Sequence, residues 1–312
     1  VLAAYQYGRL PRILNDRGLQ VTVWNRHVRA PSKIATAEPP VGPFDAGVLR
    51  LPKSRQEQAM ACHQMLGALK PDASLVLYGG NDEGIRTAQK MLADLCGETE
   101  TIATHGHGRV VRVRRGDLSS TLKPTLADWR QMANLDLPSG RVAWVSYPGV
   151  FADGELDGGT ALLLASLPVI APGARVLDFG CGPGAIAREV FARQTSAKLT
   201  LFDNDSVALA AARDNVPGAE VMLGDGAAAL GTAVFDVIVS NPPLHVGVKE
   251  DHRALDGLIA VAPQHLAANG MLVMVVQRRI ALDRQLAATF GRVVTVADNG
   301  NYRVWVAADP KT

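Results

Sequence analysis

The chain has 312 residues, 47% of them hydrophobic and 20% charged, which is long enough for two domains that each bury a core. Its charges are mixed in sign and sum to a formal net charge of +2, which excludes a highly charged, disordered chain. No apolar run approaches the roughly 20 residues of a membrane span, and three widely separated cysteines, Cys62, Cys96 and Cys181, exclude a disulfide framework or a cysteine metal site.

The same features bear on cellular location and partners. Because the cysteines are unpaired and no basic-then-apolar leader opens the sequence, we expect a protein of the reducing cytoplasm that binds no membrane and no metal. The first residue is Val1 instead of Met, so we treat the start as truncated. Basic residues outnumber acidic ones over residues 1–118 but not over the remainder, which indicates either a nucleic-acid-facing module or ordinary scatter of surface charge.

The first half of the chain predicts one strand–helix–strand unit. An apolar strand is expected at residues 46–51 and a helix over residues 56–69. A Lys-Pro-Asp turn then leads into a second apolar strand at residues 75–78.

A connector is expected between two domains. Residues 118–140 contain two prolines and a closing glycine, and they predict a linker with a helix over residues 126–133. We therefore expect a first domain over residues 1–118 and a second domain, with its linker, over residues 119–312.

The second half predicts strands that alternate with helices. Alternation with apolar strands is typical of an α/β fold whose sheet is mostly parallel and covered on both faces. The expected strands lie at residues 175–179, 199–202, 220–223, 235–240 and 271–276, the helices at 185–193, 206–215 and 255–266, and a terminal antiparallel hairpin at 292–297 and 302–307.

The two halves follow one pattern, which indicates a duplicated domain. Phe44-Asp45 and Phe235-Asp236 each precede a strand, a proline, a helix, a turn and an apolar strand, although any two such units share much of this order. The first half has Arg50 where the second has Asn241, and it has no glycine loop. We expect two tandem Rossmann-like domains, the first degenerate and without a cofactor site.

A glycine loop lies between a predicted strand and a predicted helix. It contains Asp178, Gly180, Gly182 and Gly184, and its glycines permit a tight turn to which a ligand can come close. The following helix offers unpaired N–H groups. Because Asp178 would repel a pyrophosphate but suits a sulfonium and an amino group, the loop favours S-adenosylmethionine over a dinucleotide.

Two acids at the ends of the next strands favour the same cofactor. Asp203, followed by Asn204, stands where an acid usually accepts from ribose hydroxyls. Asp225, followed by Gly226, is placed to accept from the adenine amine. The alternative for each acid taken alone is a helix cap or a turn.

The predicted catalytic residues are Asn241, Pro242, Pro243 and Leu244, which we call the acceptor loop. They follow a strand and should lie at the carboxyl edge of the sheet, beside the cofactor. An exocyclic amine of a base is a poor nucleophile, because its lone pair is delocalised into the ring. An asparagine oxygen and a backbone carbonyl can each accept one amine hydrogen, and prolines hold both in place. The alternative is an Asn-Pro turn that only closes the strand.

These motifs resemble those of the N6/N2-type amino methyltransferases. The whole chain resembles the ribosomal RNA small subunit guanine-N2 methyltransferase C family and its large-subunit sister, methyltransferase G. Residues 148–151, 156–164, 176–184 and 240–247 carry the resemblance most densely. It implies S-adenosylmethionine as cofactor, a first domain that helps to position RNA, and ribosomal RNA or the small ribosomal subunit as partner. We expect the protein to be a monomer.

The resemblance also assigns further residues. Phe151, Asp157 and Thr160 should line the methionine end of the cofactor, together with Asn241; without the resemblance, Phe151 is a candidate core aromatic and Asp157 a candidate helix cap. Where this chain has Leu244, the family usually has an aromatic residue that stacks on the target base. Such stacking contributes roughly 1–3 kcal/mol to binding. Phe151 or Trp144 is a candidate substitute.

Two other functions remain open, the second of them because of Leu244. A protein glutamine-N5 methyltransferase would use the same Asn-Pro-Pro chemistry on an amide, within a peptide-sized cleft. A cofactor-binding RNA assembly factor with weak or no turnover would retain the cofactor site alone.

Overall fold

The computed structural model describes residues 1–29, 34–117, 119–151, 155–242 and 252–311, and the backbone alone at 245–246 and 249–250. These residues form two compact units, Val1–Arg130 with Tyr147–Gly149, and Gln131–Ser146 with Val150–Thr312. Among the helices so described, none has both the length and the apolar character needed to cross a bilayer.

The first unit is built on a six-stranded sheet with the order β2-β1-β3-β4-β6-β5. Strands β1 to β4 are parallel, and β5 and β6 form an antiparallel hairpin at one edge. The elements are β1 (Leu2–Ala4), α1 (Leu10–Asp16), β2 (Thr22–Trp24), β3 (Phe44–Arg50), α2 (Arg55–Ala68), β4 (Leu69–Gly80), α3 (Ile85–Cys96), β5 (Thr99–His105), β6 (Gly108–Arg114) and a 3₁₀ turn (Ala127–Trp129).

The second unit is built on a seven-stranded sheet with the order β11-β10-β9-β12-β15-β17-β16, in which only the last two strands are antiparallel to their neighbours. A separate hairpin, β7–β8, precedes it. The elements are β7 (Gln131–Leu137), β8 (Gly140–Ser146), α4 (Gly158–Ala165), β9 (Arg175–Phe179), α5 (Ala185–Arg193), β10 (Lys198–Asp203), α6 (Ser206–Asn215), β11 (Glu220–Leu223), a 3₁₀ turn (Ala227–Leu230), β12 (Phe235–Ser240), β13 (His245–Val246), β14 (Lys249–Glu250), α7 (Arg253–His265), β15 (Leu266–Gln277), α8 (Asp283–Thr289), β16 (Phe290–Asp298) and β17 (Tyr302–Pro310).

The central strands of the second sheet are buried on both faces. In β12, Val237 and Val239 pack into one core cluster and Ile238 into the other. Successive side chains of a strand point to opposite faces, so a continuous apolar run is what a sheet between two helical layers requires. The predicted arrangement of this sheet is confirmed.

The two units share one topology, which supports the duplication. Strands β2-β1-β3-β4-β6-β5 of the first sheet correspond in order to β10-β9-β12-β15-β17-β16 of the second, with β11 as an addition. The terminal hairpins carry a bulge at corresponding places, between Thr101 and Ala103 and between Thr295 and Ala297. The fold is therefore α/β with two tandem Rossmann-like domains of one topology, as expected.

The region between the units differs from the expectation. The predicted helix over residues 126–133 is wrong, because only Ala127–Trp129 forms a 3₁₀ turn and Gln131 already begins β7. Strand pairing with β8 and burial of Leu135 and Leu137 outweigh the local helical preference. The first unit also continues beyond residue 118 to Arg130, where the Trp129 ring packs edge-on against His63 with centroids 5.1 Å apart.

Candidate active site

The glycine loop, residues 180–184, leads from β9 directly into α5. Gly180, Gly182 and Gly184 have φ angles of 70°, 54° and 93°, a left-handed conformation that favours glycine. Gly184 is the N-cap of α5 and has no side chain to cap it, so the N–H groups of Ala185 and Ile186 in the first turn remain available to a ligand. A Cβ at Gly182 would meet Phe151 Cβ, its nearest neighbour, only at 3.9 Å, which leaves space above the loop.

Asp178 lies beneath this loop and is 1% exposed. Its Oδ2 accepts from the backbone N–H of Ala187, 3.0 Å away in the first turn of α5, and its Oδ1 has no hydrogen-bond partner among the described residues. Burial raises the pKa of Asp178 to about 7, and the neighbouring Asp203 carboxylate acts in the same direction. A buried carboxyl with one unpaired oxygen suits a cationic ligand and opposes a pyrophosphate.

Asp203 ends the neighbouring strand β10 and contacts the loop. Its Oδ2 accepts from Gly182 N at 2.8 Å, and its Oδ1 accepts from Asp205 N at 2.9 Å. Burial raises the pKa of Asp203 to about 6, with a further contribution from the Asp205 carboxylate. Asn204 follows it and is partly exposed.

Asp225 and Gly226 follow the edge strand β11, and both are exposed. Since β11 pairs with β10 in parallel, Asp225 lies at the same edge of the sheet as Asp203. The three predicted acids thus lie at or just beyond the carboxyl ends of three adjacent strands, β9 to β11, which is where an open α/β sheet binds its ligands.

Asn241 is brought beside the glycine loop because β12 pairs directly with β9. The Ser240 hydroxyl is fully buried and donates to the Phe179 carbonyl at 2.7 Å, which joins the ends of these two strands. The sequence interpretation gave Ser240 no role, although it immediately precedes the acceptor loop. Pro242 is buried.

The Asn241 side chain is held by the start of α4. Its Nδ2 donates to Asp157 Oδ2 and to Thr160 Oγ1, each at 3.0 Å. Asp157 is the N-cap of α4, and its Oδ2 also accepts from Gly159 N and Thr160 N at 2.9 and 3.1 Å. The cap role considered for Asp157 is therefore present in the structure.

The remaining predicted residues divide into three groups. Phe151 is 59% exposed, so the alternative of a core aromatic is wrong, whereas Trp144 is 2% exposed and is unavailable for stacking on a base. Pro243 and Leu244 lie outside the described residues. Tyr302, which the sequence interpretation missed, places its ring 3.1 Å from where a Cβ of Gly159 would lie, so it packs against the start of α4.

Within the described part of the chain, no group of three or more His, Cys, Asp or Glu side chains could hold a metal ion. The loop space, the unpaired Asp178 oxygen and the acid at the end of β10 together fit a cation that carries a ribose.

Comparison with known proteins matches both units to methyltransferase families. The family model described as "Methyltransferase small domain" matches residues 141–306, and "Methyltransferase small domain N-terminal" matches residues 3–131. The ribosomal RNA small subunit methyltransferase C of Pseudomonas paraeruginosa is 36% identical over 277 residues, which is 87% of this chain and 81% of that protein. Its counterpart from Pseudoalteromonas translucida is 31% identical over 267 residues, or 84% and 77%.

A solved structure shares the fold of the whole chain. A 16S rRNA N2 methyltransferase from T. thermophilus, in complex with AdoMet and guanosine, superimposes with a TM-score of 0.84 at 23% identity. The match covers 99% of this chain and 87% of that one. The tandem arrangement of two methyltransferase-like domains is therefore found in a solved protein.

Proposed function

We propose that this chain, which belongs to the methyltransferase small domain family and to the ribosomal RNA small subunit methyltransferase C family, transfers a methyl group from S-adenosylmethionine to the exocyclic N2 amine of a guanine in small-subunit ribosomal RNA. The observation that carries the proposal is the pairing of β12 with β9, which places Asn241 next to the glycine loop. A hydrogen-bond acceptor for the target amine thus lies beside the proposed site of the methyl donor.

The cofactor residues have separate tasks. The open loop at Gly180, Gly182 and Gly184 leaves room for the methionine end, and Asp178 beneath it compensates positive charge. Asp203 accepts from the ribose hydroxyls while it holds the loop through Gly182 N. The other residues proposed to line the cofactor are Phe151, Asp157, Thr160, Asn204, Asp225, Gly226 and Asn241.

Asn241 prepares the amine for transfer. S-adenosylmethionine supplies a methyl carbon on a sulfonium centre. The Asn241 Oδ1 and a backbone carbonyl of the acceptor loop each accept one amine hydrogen, which directs the nitrogen lone pair towards that carbon. Neither group has to be a strong base, because the proton is lost only after the amine has been methylated.

The missing aromatic at Leu244 makes Phe151 the proposed stacking residue. Phe151 is exposed, and its Cβ faces the glycine loop. Loss of its ring in a Phe151→Ala variant should weaken RNA binding about 10- to 100-fold, the equivalent of the usual stacking energy of a base on an aromatic.

We also propose the partner and state of the enzyme. It acts as a monomer in the cytoplasm, without a metal, on ribosomal RNA or the small ribosomal subunit, and its first unit positions the RNA. A glutamine-N5 methyltransferase would need a peptide cleft, and an assembly factor would bind cofactor without turnover.

Labelled methyl transfer tests the proposal. Purified protein and methyl-labelled S-adenosylmethionine are incubated with naked 16S rRNA, with assembled small subunits or with a peptide-chain release factor. Modified nucleosides are then identified by mass. We expect N2-methylguanosine in RNA. Asn241→Ala should abolish it with cofactor affinity retained, whereas Asn134→Ala, an exposed asparagine of β7, should leave it unchanged. Methylated release factor, or cofactor binding without any product, would overturn the proposal in favour of one of the two alternatives.

A further inference from the structure

The side-chain amide of Asn241 has its donor end fully used. An amide nitrogen has two hydrogens, and the structure gives Nδ2 two acceptors, Asp157 Oδ2 and Thr160 Oγ1, both at 3.0 Å. Within the described part of the chain, the Oδ1 atom accepts no hydrogen bond. The amide is therefore anchored at its nitrogen and open at its oxygen.

The chemistry of Asp157 decides which way the amide faces. An ionised carboxylate has no hydrogen to donate and accepts only. If the amide were flipped, Oδ1 would face the Asp157 carboxylate, two acceptors would oppose each other, and the NH₂ group would face the site. A target amine would then meet donors instead of an acceptor.

We propose that Asp157 and Thr160 are positioning residues that fix the amide of Asn241 so that its oxygen faces the amine to be methylated. This inference rests on the proposed function, because it assumes that Asn241 is the acceptor for that amine. It differs from the cofactor-lining role assigned above, since both residues act through Asn241.

Asp157 and Thr160, which hold the Asn241 amide, are themselves fixed in place. Asp157 Oδ2 accepts from Gly159 N and Thr160 N, so the N-cap of α4 fixes the carboxylate. Thr160 is only 6% exposed in the first turn of α4, so its side chain has little room to move. A Cβ at Gly159 would lie 3.0 Å from Asp157 Oδ2 and 3.1 Å from the Tyr302 ring, so a larger residue there would push against both. Positions held in this way can orient a reacting group to the accuracy that catalysis requires.

A direct test reads the amide without requiring any activity. Nuclear magnetic resonance of protein with nitrogen-15-labelled asparagine shows the two Nδ2 hydrogens of Asn241, which are assigned by their loss in Asn241→Ala. We expect two distinct, slowly exchanging signals in the wild-type chain. Thr160→Val, which removes the hydroxyl but keeps the branched shape, should shift one signal and accelerate its exchange, and Thr160→Ser should restore both.

A kinetic test separates positioning from cofactor lining. Thr160→Val should lower kcat for RNA methylation about 10-fold, the usual effect of one hydrogen bond, with the Kd for S-adenosylmethionine changed less than about twofold. Asp157→Ser, which keeps a capping oxygen for α4 but is too short for Asn241, should lower kcat further. Thr160→Ser should stay close to the wild-type value.

The outcomes are distinguishable. Asn241 amide signals that do not respond to Thr160→Val overturn the inference, as does a variant that loses cofactor affinity while kcat stays constant. If the signals respond as expected but no RNA is methylated by the wild-type chain, the orientation of the amide stands and the proposed function fails.

Discussion

Tyr5 in the first sheet and Gly180 in the second occupy equivalent positions, and both have a left-handed backbone, with φ angles of 58° and 70°. Each residue directly follows the strand that lies second in the shared order. Each donates its N–H at 2.8 Å to the carbonyl of an aromatic at the end of the next strand, Trp24 or Phe202. The first unit has therefore kept the turn of the glycine loop while filling it with a tyrosine ring.

Other replacements follow the same equivalence. By strand register, Ala3 stands where the second unit has Asp178. Asn25 stands where it has Asp203, and Asn25 Oδ1 accepts from the turn that follows β1 at 2.8 Å, just as Asp203 does from its own loop. The first unit thus has neither of the two carboxylates proposed to bind the cofactor, but it has a corresponding hydrogen bond that shapes the backbone.

The first prediction is that one S-adenosylmethionine binds per chain. Tyr5 is 6% exposed and packs on Trp24 with ring centroids 5.4 Å apart, so it fills the space that a cofactor would need. Isothermal titration should give one site, and Asp203→Ala should abolish or strongly weaken it. Residual binding at a second site in that variant would contradict a degenerate first unit.

The second prediction exchanges one residue between the units. Asp203→Asn copies Asn25 and keeps one oxygen to accept from Gly182 N, but it loses the acceptor for Asp205 N and the charge that accepts from ribose hydroxyls. A hydrogen bond to a charged group is worth about 1.5–3 kcal/mol, so the Kd for S-adenosylmethionine should rise about 10- to 100-fold. Titration calorimetry measures it, with Asp136→Asn, an exposed acid of β7, as the control. An unchanged Kd would remove Asp203 from the site.

The sequence predicted five elements of the second unit closely. The expected bounds of β9, α5, α6, β11 and β12 coincide with those of the structure, because glycine, proline and apolar periodicity mark each end.

Elements that depend on distant contacts were missed. The hairpin β7–β8 is held by Asn215, whose Oδ1 accepts from Val145 N and whose Nδ2 donates to Val145 O. The contact of Asn241 with Asp157 likewise joins residues 84 positions apart. Residue types at the site could be read from local patterns, but the orientation of the Asn241 amide could not, since no local pattern encodes such a pairing.

The third prediction concerns pH. Folding raises the pKa of Asp178 to about 7 and of Asp203 to about 6, above their values in an unfolded chain. Between about pH 4 and 7 the folded state therefore binds more protons, and the contribution of these two groups to the free energy of unfolding falls as pH rises. A cationic cofactor favours the ionised forms, so its affinity should rise over the same range.

Two measurements check this sign. The Kd for S-adenosylmethionine should be lower at pH 8 than at pH 5.5, with protons released on binding near pH 6. The melting temperature of the free protein, measured relative to that of Asp203→Asn, should fall as the pH rises from 5.5 to 8. An affinity that is independent of pH would mean that neither carboxyl titrates on binding.

The fourth prediction concerns Glu189, a fully buried acid of α5. Its Oε2 accepts from the N–H and hydroxyl of Ser139 at 3.1 and 2.7 Å, and its Oε1 pairs with Arg193 at 2.7 Å.

Glu189→Gln keeps the acceptor but loses its charge, which should lower the free energy of unfolding by about 1–3 kcal/mol. Glu189→Ala leaves the Ser139 groups and Arg193 without their partner, so it should cost about 3–5 kcal/mol. Denaturant unfolding of the second unit, with the exposed Glu98→Gln as control, measures both. Equal, small losses in the two variants would mean that water replaces the carboxylate, and that Glu189 does not join the β7–β8 turn to the helix that begins at the glycine loop.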